Sequence, residues 1–395
     1  MKQNYINLLF ILALVMGCTS VQKEQQTKLI DTCGKQLKFL VSGADQLSEN
    51  HPNLTSPRTV AKSGDPKLVA SSDWTSGFFP GELWYMYQLT GDSYWLSKAK
   101  EYTGLLEQEQ FNGHDHDIGF RMYCSYGNGY RITNDSTYRN VLIQSARTLC
   151  SRFNEKVGCI KSWDNKKWTY PVIIDNMMNL ELLFRAAKET GDTLFSHVAI
   201  RHAQTTLKNH FRKDYSSYHV VDYDTLSGRV LGKVTHQGFA NESAWARGQA
   251  WGLYGYTMAY RETGMTEFLS QAQGIASFIM NHPHMPEDLV PYWDFNDPGI
   301  PDAPRDASAA AIIASALYEL SGYVPDGKQF TTFADRIMKS LSSKSYLAET
   351  KTNGGFLLLH STGNNPKNSE VDVPLVYADY YFLEALLRKN KLEEK

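Results

Sequence analysis

The chain has 395 residues, with 40 Lys and Arg against 42 Asp and Glu and a formal net charge of −2. Hydrophobic residues make up 42% and charged residues 21%, which is the range of a globular protein and excludes a disordered or fibrous chain. The balanced charge lacks the clustered Lys/Arg excess that binding nucleic-acid phosphates requires, so no nucleic-acid partner is expected. Aromatic residues reach 12%, with 8 Trp and 23 Tyr, enough to pack a large core or to line a cleft that stacks on flat ligands, sugars included.

Lys2 precedes an apolar run, Leu8 to Met16, that is too short for a bilayer and suits a signal peptide. The run ends in Gly17-Cys18, which resembles the lipobox of bacterial lipoproteins. Cleavage there leaves Cys18 as a lipidated first residue; a plain signal peptide with an incidental Cys is the alternative. The expected organisation is a leader over 1–17, a polar tether over 18–28 and a single folded domain over 29–395. Such a chain is exported, periplasmic or outer-membrane associated, and touches the membrane only through its anchor. The other cysteines, Cys33, Cys124, Cys150 and Cys159, show no zinc-ligand spacing. Cys150 and Cys159 are near enough in sequence to pair, and free buried thiols are equally compatible.

After the tether a helix is expected to run to about Ser48, followed by a Pro/Ser/Gly-rich loop from Asn50 to Ser72. Beyond Trp74 a punctuation recurs in which an apolar 3.6-residue pattern stops at a Gly or Asn and a new helix begins. It appears at Thr90-Gly91-Asp92, Thr133-Asn134-Asp135, Thr190-Gly191-Asp192, Thr263-Gly264-Met265 and Ser321-Gly322-Tyr323. Gly or Asn takes the left-handed conformation that ends a helix, and the polar residue after it caps the next. Stacked helical hairpins follow. Tyr218 to Tyr223 alternates with period two, turns at Asp224–Gly228 and returns through Arg229-Val230-Leu231, which predicts a β-hairpin inserted between helices.

Asp175 follows the apolar run Tyr170 to Ile174 and stands at a helix start, where it is either an N-cap or a half-buried carboxyl with raised proton affinity. His114-Asp115-His116-Asp117 is dense in titratable groups, but its spacing matches no common zinc pattern, so no metal is expected. Thr235 to Gly252 is the richest stretch. Within it Arg247 and Trp251 share one helical face, either as a carboxylate clamp beside a sugar-stacking surface or as an aromatic core with a snorkelling Arg. Trp74 and Trp163 suggest further parts of the same aromatic rim.

Taken together, Asp73-Trp74-Thr75-Ser76-Gly77-Phe78, His116-Asp117-Ile118-Gly119-Phe120, Ile174 to Leu180, Thr235-His236-Gln237-Gly238, Trp245 to Trp251 and Ala378 to Leu386 resemble glycoside hydrolase family 88, the unsaturated glucuronyl hydrolases. The resemblance implies an all-α (α/α)6 barrel with a small inserted β-hairpin. It also implies an enzyme of glycosaminoglycan degradation that hydrates the C4=C5 bond of a terminal unsaturated uronate on a lyase-generated oligosaccharide. On this pattern Asp175 is the acid/base and Asp117 assists it. His219, Gln237, Thr235, Arg247, Trp251, Trp74 and Trp163 match substrate-binding positions, and no cofactor or metal is implied.

The stretch His360 to Glu370 lies where family members differ in their tolerance of sulfated substrates; Ser361, Lys367 and Ser369 there are either sulfate contacts or parts of a solvated loop. Three other readings compete. An unsaturated rhamnogalacturonyl hydrolase would use the same barrel. A non-catalytic glycan-binding lipoprotein would need the aromatics but not paired Asp117 and Asp175. A sugar epimerase would be expected to use His bases.

Overall fold

The computed structural model describes residues 2–394, with side chains from Lys23 onward. The side chains of the leader and of Cys18 therefore lie outside the described residues. Helix α1 (Lys2–Asn50) includes positions read as a tether, and from Lys23 to Lys28 the chain is already helical, with Gln26 bonded to Asn390 near the other end of the sequence. Among the described residues no helix is long and apolar enough to cross a membrane.

The segment expected as a loop after α1 instead forms an antiparallel hairpin, β1 (Ser56–Val60) and β2 (Pro66–Val69). Helical hairpins follow: α2 (Phe78–Thr90) with α3 (Ser93–Gly104), α4 (Ile118–Met122) and α5 (Asn128–Thr133) with α6 (Ser136–Cys150), and, after short strands β3 (Phe153–Asn154), β4 (Cys159–Ile160) and β5 (Pro171–Ile173), α7 (Leu180–Thr190) with α8 (Thr193–His210). Strands β6 (Val220–Tyr223) and β7 (Val230–Val234) form the expected hairpin, and β5 pairs with it to make a three-stranded sheet. Then come α9 (Ala246–Thr263) with α10 (Thr266–Met280) and α11 (Ala307–Leu320) with α12 (Lys328–Leu341). A last hairpin, β8 (Ser361–Asn364) and β9 (Ser369–Val373), precedes α13 (Val376–Glu393).

Helices α2, α4–α5, α7, α9, α11 and α13 form the inner ring, and α1, α3, α6, α8, α10 and α12 the outer one, an (α/α)6 barrel. The inner helix α11 is buried along its whole length from Ala307 to Tyr318, as a helix enclosed on all sides must be. The turn chemistry holds at Gly91, Asn134, Gly191 and Gly264, all with φ between 55° and 73°. Asp92, Asp135 and Asp192 then cap the next helix by accepting from the amides of Tyr94, Thr137 and Leu194 at 2.8–2.9 Å. The fifth turn differs: Ser321–Tyr323 is a 3-10 turn and Gly322 is not left-handed. The four cysteines with described side chains are free.

Candidate active site

The inner helices α2, α4, α9, α11 and α13 all begin at one end of the barrel, so their positive dipole ends converge there. A cavity of about 360 Å³ opens at this end. Its walls include Trp74 before α2, Asp117 before α4, Asp175 before α7, Arg247 in the first turn of α9 and Tyr377 in that of α13. These residues are far apart in sequence, and the barrel closure brings them together.

Two close approaches set Asp117 beside Asp175. Gly119 packs so tightly on the 3-10 turn Ile174–Asn179 that a Cβ there would lie 2.5 Å from the Asn179 Cα, and the Phe120 amide donates to Asn179 Oδ1 at 3.0 Å. The turn is held to the residue ahead of β6 and to β4: the Ile174 amide donates to the His219 carbonyl at 3.1 Å and Asn176 Nδ2 to the Ile160 carbonyl at 2.9 Å. Asp175 is not an N-cap. The cap of its turn is Ile173, that of α7 is Asn179, and Asp175 Oδ2 has no hydrogen-bond partner. That oxygen is therefore free for chemistry.

Burial pushes the Asp175 carboxyl from 3.8 up to about 7, although the Arg247 guanidinium and the Trp251 indole pull it down. Asp117 is also held well above the usual carboxylate range, first by burial, then by the neighbouring charges of Asp115, Asp175 and Asp73, against Arg121. Two such carboxyls titrate as a pair, and the pair retains a proton near neutrality. His219 stands behind Asp175, with Nε2 3.7 Å from Asp175 Oδ2. Its Nδ1 accepts from the amides of His236 and Gln237 at 3.2 and 3.0 Å, so the proton of the neutral ring sits on Nε2. Burial holds His219 well below the ordinary histidine value, so it stays uncharged.

The other expected residues divide. Trp74, Trp163 and Gln237 line the cavity, and Gln237 Nε2 donates to the Gly363 carbonyl at 3.1 Å. Arg247 also lines it but is no free clamp. Its guanidinium pairs with buried Asp306 at 2.8 Å and donates to the carbonyls of Thr362 and Gly363, both at 2.5 Å. Trp251 offers no stacking face: it is fully buried between Phe120 and Tyr381, and its indole N–H has no hydrogen-bond partner. Thr235 closes its own loop by accepting from the Gly238 amide at 2.8 Å and does not line the cavity.

His116 is buried, His114 exposed, and Asp115 is paired with Arg121. The β8–β9 hairpin forms a wall in place of a solvated loop. Lys367 and Ser369 face the cavity, whereas Ser361 is fully buried away from it. Arg58, Tyr377 and Glu370 were not singled out from sequence. Arg58 binds Glu370 through Nε and Nη2 at 2.7 and 2.8 Å and Asp73 through Nη1 at 2.9 Å, joining the first and last β-hairpins across the mouth. Only the Tyr377 position gave a signal, as it directly precedes the Ala378-Asp379 motif.

Residues 55–388 match the family model described as Glycosyl Hydrolase Family 88. An unsaturated glucuronyl hydrolase of Formosa agariphila is 50% identical over 401 residues, covering 97% of this chain and 98% of that protein. An unsaturated chondroitin disaccharide hydrolase of Streptococcus pneumoniae is 32% identical, covering 93% of each. A crystal structure of an unsaturated glucuronyl hydrolase specific for heparin superposes with a TM-score of 0.90 at 51% identity, over 94% of this chain and 98% of that one.

Proposed function

The chain belongs to Glycosyl Hydrolase Family 88, and from that membership we propose that it removes the terminal Δ4,5-unsaturated uronic acid from glycosaminoglycan oligosaccharides left by polysaccharide lyases. The observation that carries this reading is the pair of raised carboxyls, Asp117 and Asp175, in one aromatic cavity at the convergent helix N-termini. An anionic sugar is drawn to that end by the helix dipoles, and Trp74 and Trp163 offer rings to its faces.

Asp175 gives its proton to C4 of the vinyl ether. Positive charge develops over C5 and the ring oxygen and is stabilised by the Asp117 carboxylate. Water then adds at C5, and its proton passes to Asp175, which is restored. The C5 hemiketal opens to a ketone, and the hemiacetal left at C1 collapses to an aldehyde, releasing the remaining saccharide as its alcohol. The glycosidic bond is lost by rearrangement, not by attack at C1. His219 orients either the Asp175 carboxyl or the water through its Nε2 proton.

The heparin-specific structure at 51% identity makes a heparin-derived unsaturated disaccharide the first substrate to test, with a chondroitin-derived one beside it. The ultraviolet absorbance of the C4=C5 bond disappears on hydration. Its loss with the wild type and its persistence in folded Asp175→Asn support the reading; wild-type turnover by Asp175→Asn sinks it. We also propose export and anchoring through Cys18, on the strength of the Leu8–Met16 run and the Gly17-Cys18 step. Release of Cys18→Ala from the membrane fraction tests this.

A further inference from the structure

Asp117 owes its place to its neighbour. Its backbone amide donates to Asp115 Oδ1 at 2.8 Å, a short polar turn that sets the residue just ahead of α4. Asp115 is itself fixed, because both its oxygens accept from Arg121 Nη1 at 3.0 and 3.2 Å. Arg121 is fully buried and anchored further by the carbonyls of Ser72 at 3.3 Å and Asn112 at 3.4 Å. Through its backbone Asp115 also bridges Trp163 of the cavity wall. Through its carboxylate, its backbone and Arg121, Asp115 thus ties together the loop before α2, the turn before α4 and the Trp163 wall.

We propose that Asp115 is a positioning residue for the reaction: locked by Arg121, it fixes the turn that presents Asp117 and sets a second carboxylate beside the Asp117–Asp175 pair. The inference rests on the reading of that pair as the reacting groups. The groups facing Asp117 are Asp115 and Arg121 from its own segment and helix, His116 with Nε2 3.3 Å away, Asp175 from the turn before α7, and Asp73 from the loop before α2, itself paired with Arg58. Among them Asp115 pushes the Asp117 carboxyl up more than Arg121 pulls it down. The ion pair is therefore not electrically silent at Asp117. Its negative end is the nearer in effect, and it favours protonation of the pair.

Asp115→Asn separates geometry from charge, because the amide oxygen still accepts from the Asp117 amide. The experiment is the pH profile of kcat/KM on an unsaturated disaccharide for the full chain. In Asp115→Asn the Arg121 charge is unopposed as well, and both limbs of the profile move to lower pH by about one unit. The double variant Asp115→Asn/Arg121→Met carries no orphaned buried charge and covers the case in which the single variant folds poorly. Its profile moves the same way by less. A profile that stays in place, or moves to higher pH, in a folded variant overturns the proposal even if kcat drops, since a purely structural role lowers the rate without moving the limbs. Activity retained in Asp175→Asn and Asp117→Asn would instead remove the underlying reading of the pair.

Discussion

The imidazole of His219 reaches towards the Asp175 carboxyl, Nε2 to Oδ2 at 3.7 Å, because its other nitrogen is already occupied by two backbone amides. The amides belong to His236 and Gln237, so the loop before α9 fixes the tautomer of a residue on the strap before β6. An uncharged ring in this position donates a proton to a hydrogen bond but cannot supply a cation. Replacing it with glutamine loses the rigid donor, and kcat is expected to fall about 10²-fold with little change in KM. Unaltered turnover in His219→Gln would show that Asp175 needs no such partner.

The pH dependence of the wild type follows from the sign of the Asp175 shift. Its carboxyl ordinarily titrates at 3.8 and is raised to about 7 by burial. The protonated form, which the reaction consumes, is present below that value and lost above it. The rate is expected to fall tenfold per pH unit on the alkaline side. A rate still flat two units above neutrality would assign the proton to another group.

Gly119 tests the contact between the two acidic segments. An added methyl meets Asn179 backbone at 2.5 Å and must push the Asp117 helix away from the Asp175 turn. Gly119→Ala is expected to cost about 1–3 kcal/mol of stability and to lower kcat beyond what the thermal shift explains. Wild-type kinetics would mean that the carboxyl spacing tolerates movement.

Lys367 faces the cavity from the β8–β9 hairpin and has no carboxylate partner among the described residues. An ammonium in that place suits an anionic group on the substrate. Lys367→Ala is expected to raise KM several-fold for a sulfated disaccharide and to leave an unsulfated one nearly unchanged, as steady-state kinetics on the two would show. Equal losses on both would assign Lys367 to the uronate itself.

Stability should also carry a mark of buried acid away from the cavity. Asp379 is fully buried, accepts from the amides of Leu357 and Leu358 at 2.6 and 2.9 Å, and is raised from 3.8 to about 8 by burial. Between those values the folded chain holds a proton that the unfolded chain has released. Stability therefore declines as pH rises through this window, by at most about 1.4 kcal/mol per unit from this group. Glu82, fully buried and raised by burial and by the Asp379 charge, acts in the same direction. Urea midpoints measured from pH 5 to 8 should slope less steeply in Asp379→Asn, and an unchanged slope would contradict the assignment.

What was legible in the residues alone was local. Helix ends at Gly91, Asn134, Gly191 and Gly264 follow from left-handed backbone that few side chains accept, and the Val220–Val234 hairpin follows from period-two alternation. The likeness of the motifs to a known family brought Asp117 and Asp175 forward before any geometry was available. The β1–β2 and β8–β9 hairpins were missed because their short strands carry too many Pro, Gly, Asn and Ser residues to alternate cleanly. Whether an arginine is free or spent, and whether a tryptophan shows its face or only its edge, depends on partners far away along the chain. Arg247 met Asp306 and the carbonyls of Thr362 and Gly363, and Trp251 vanished between Phe120 and Tyr381. Local sequence dictates backbone preference. Desolvation and charge at a side chain are set by whatever the closed barrel packs around it, and those decided which residues face the substrate and which hold them there.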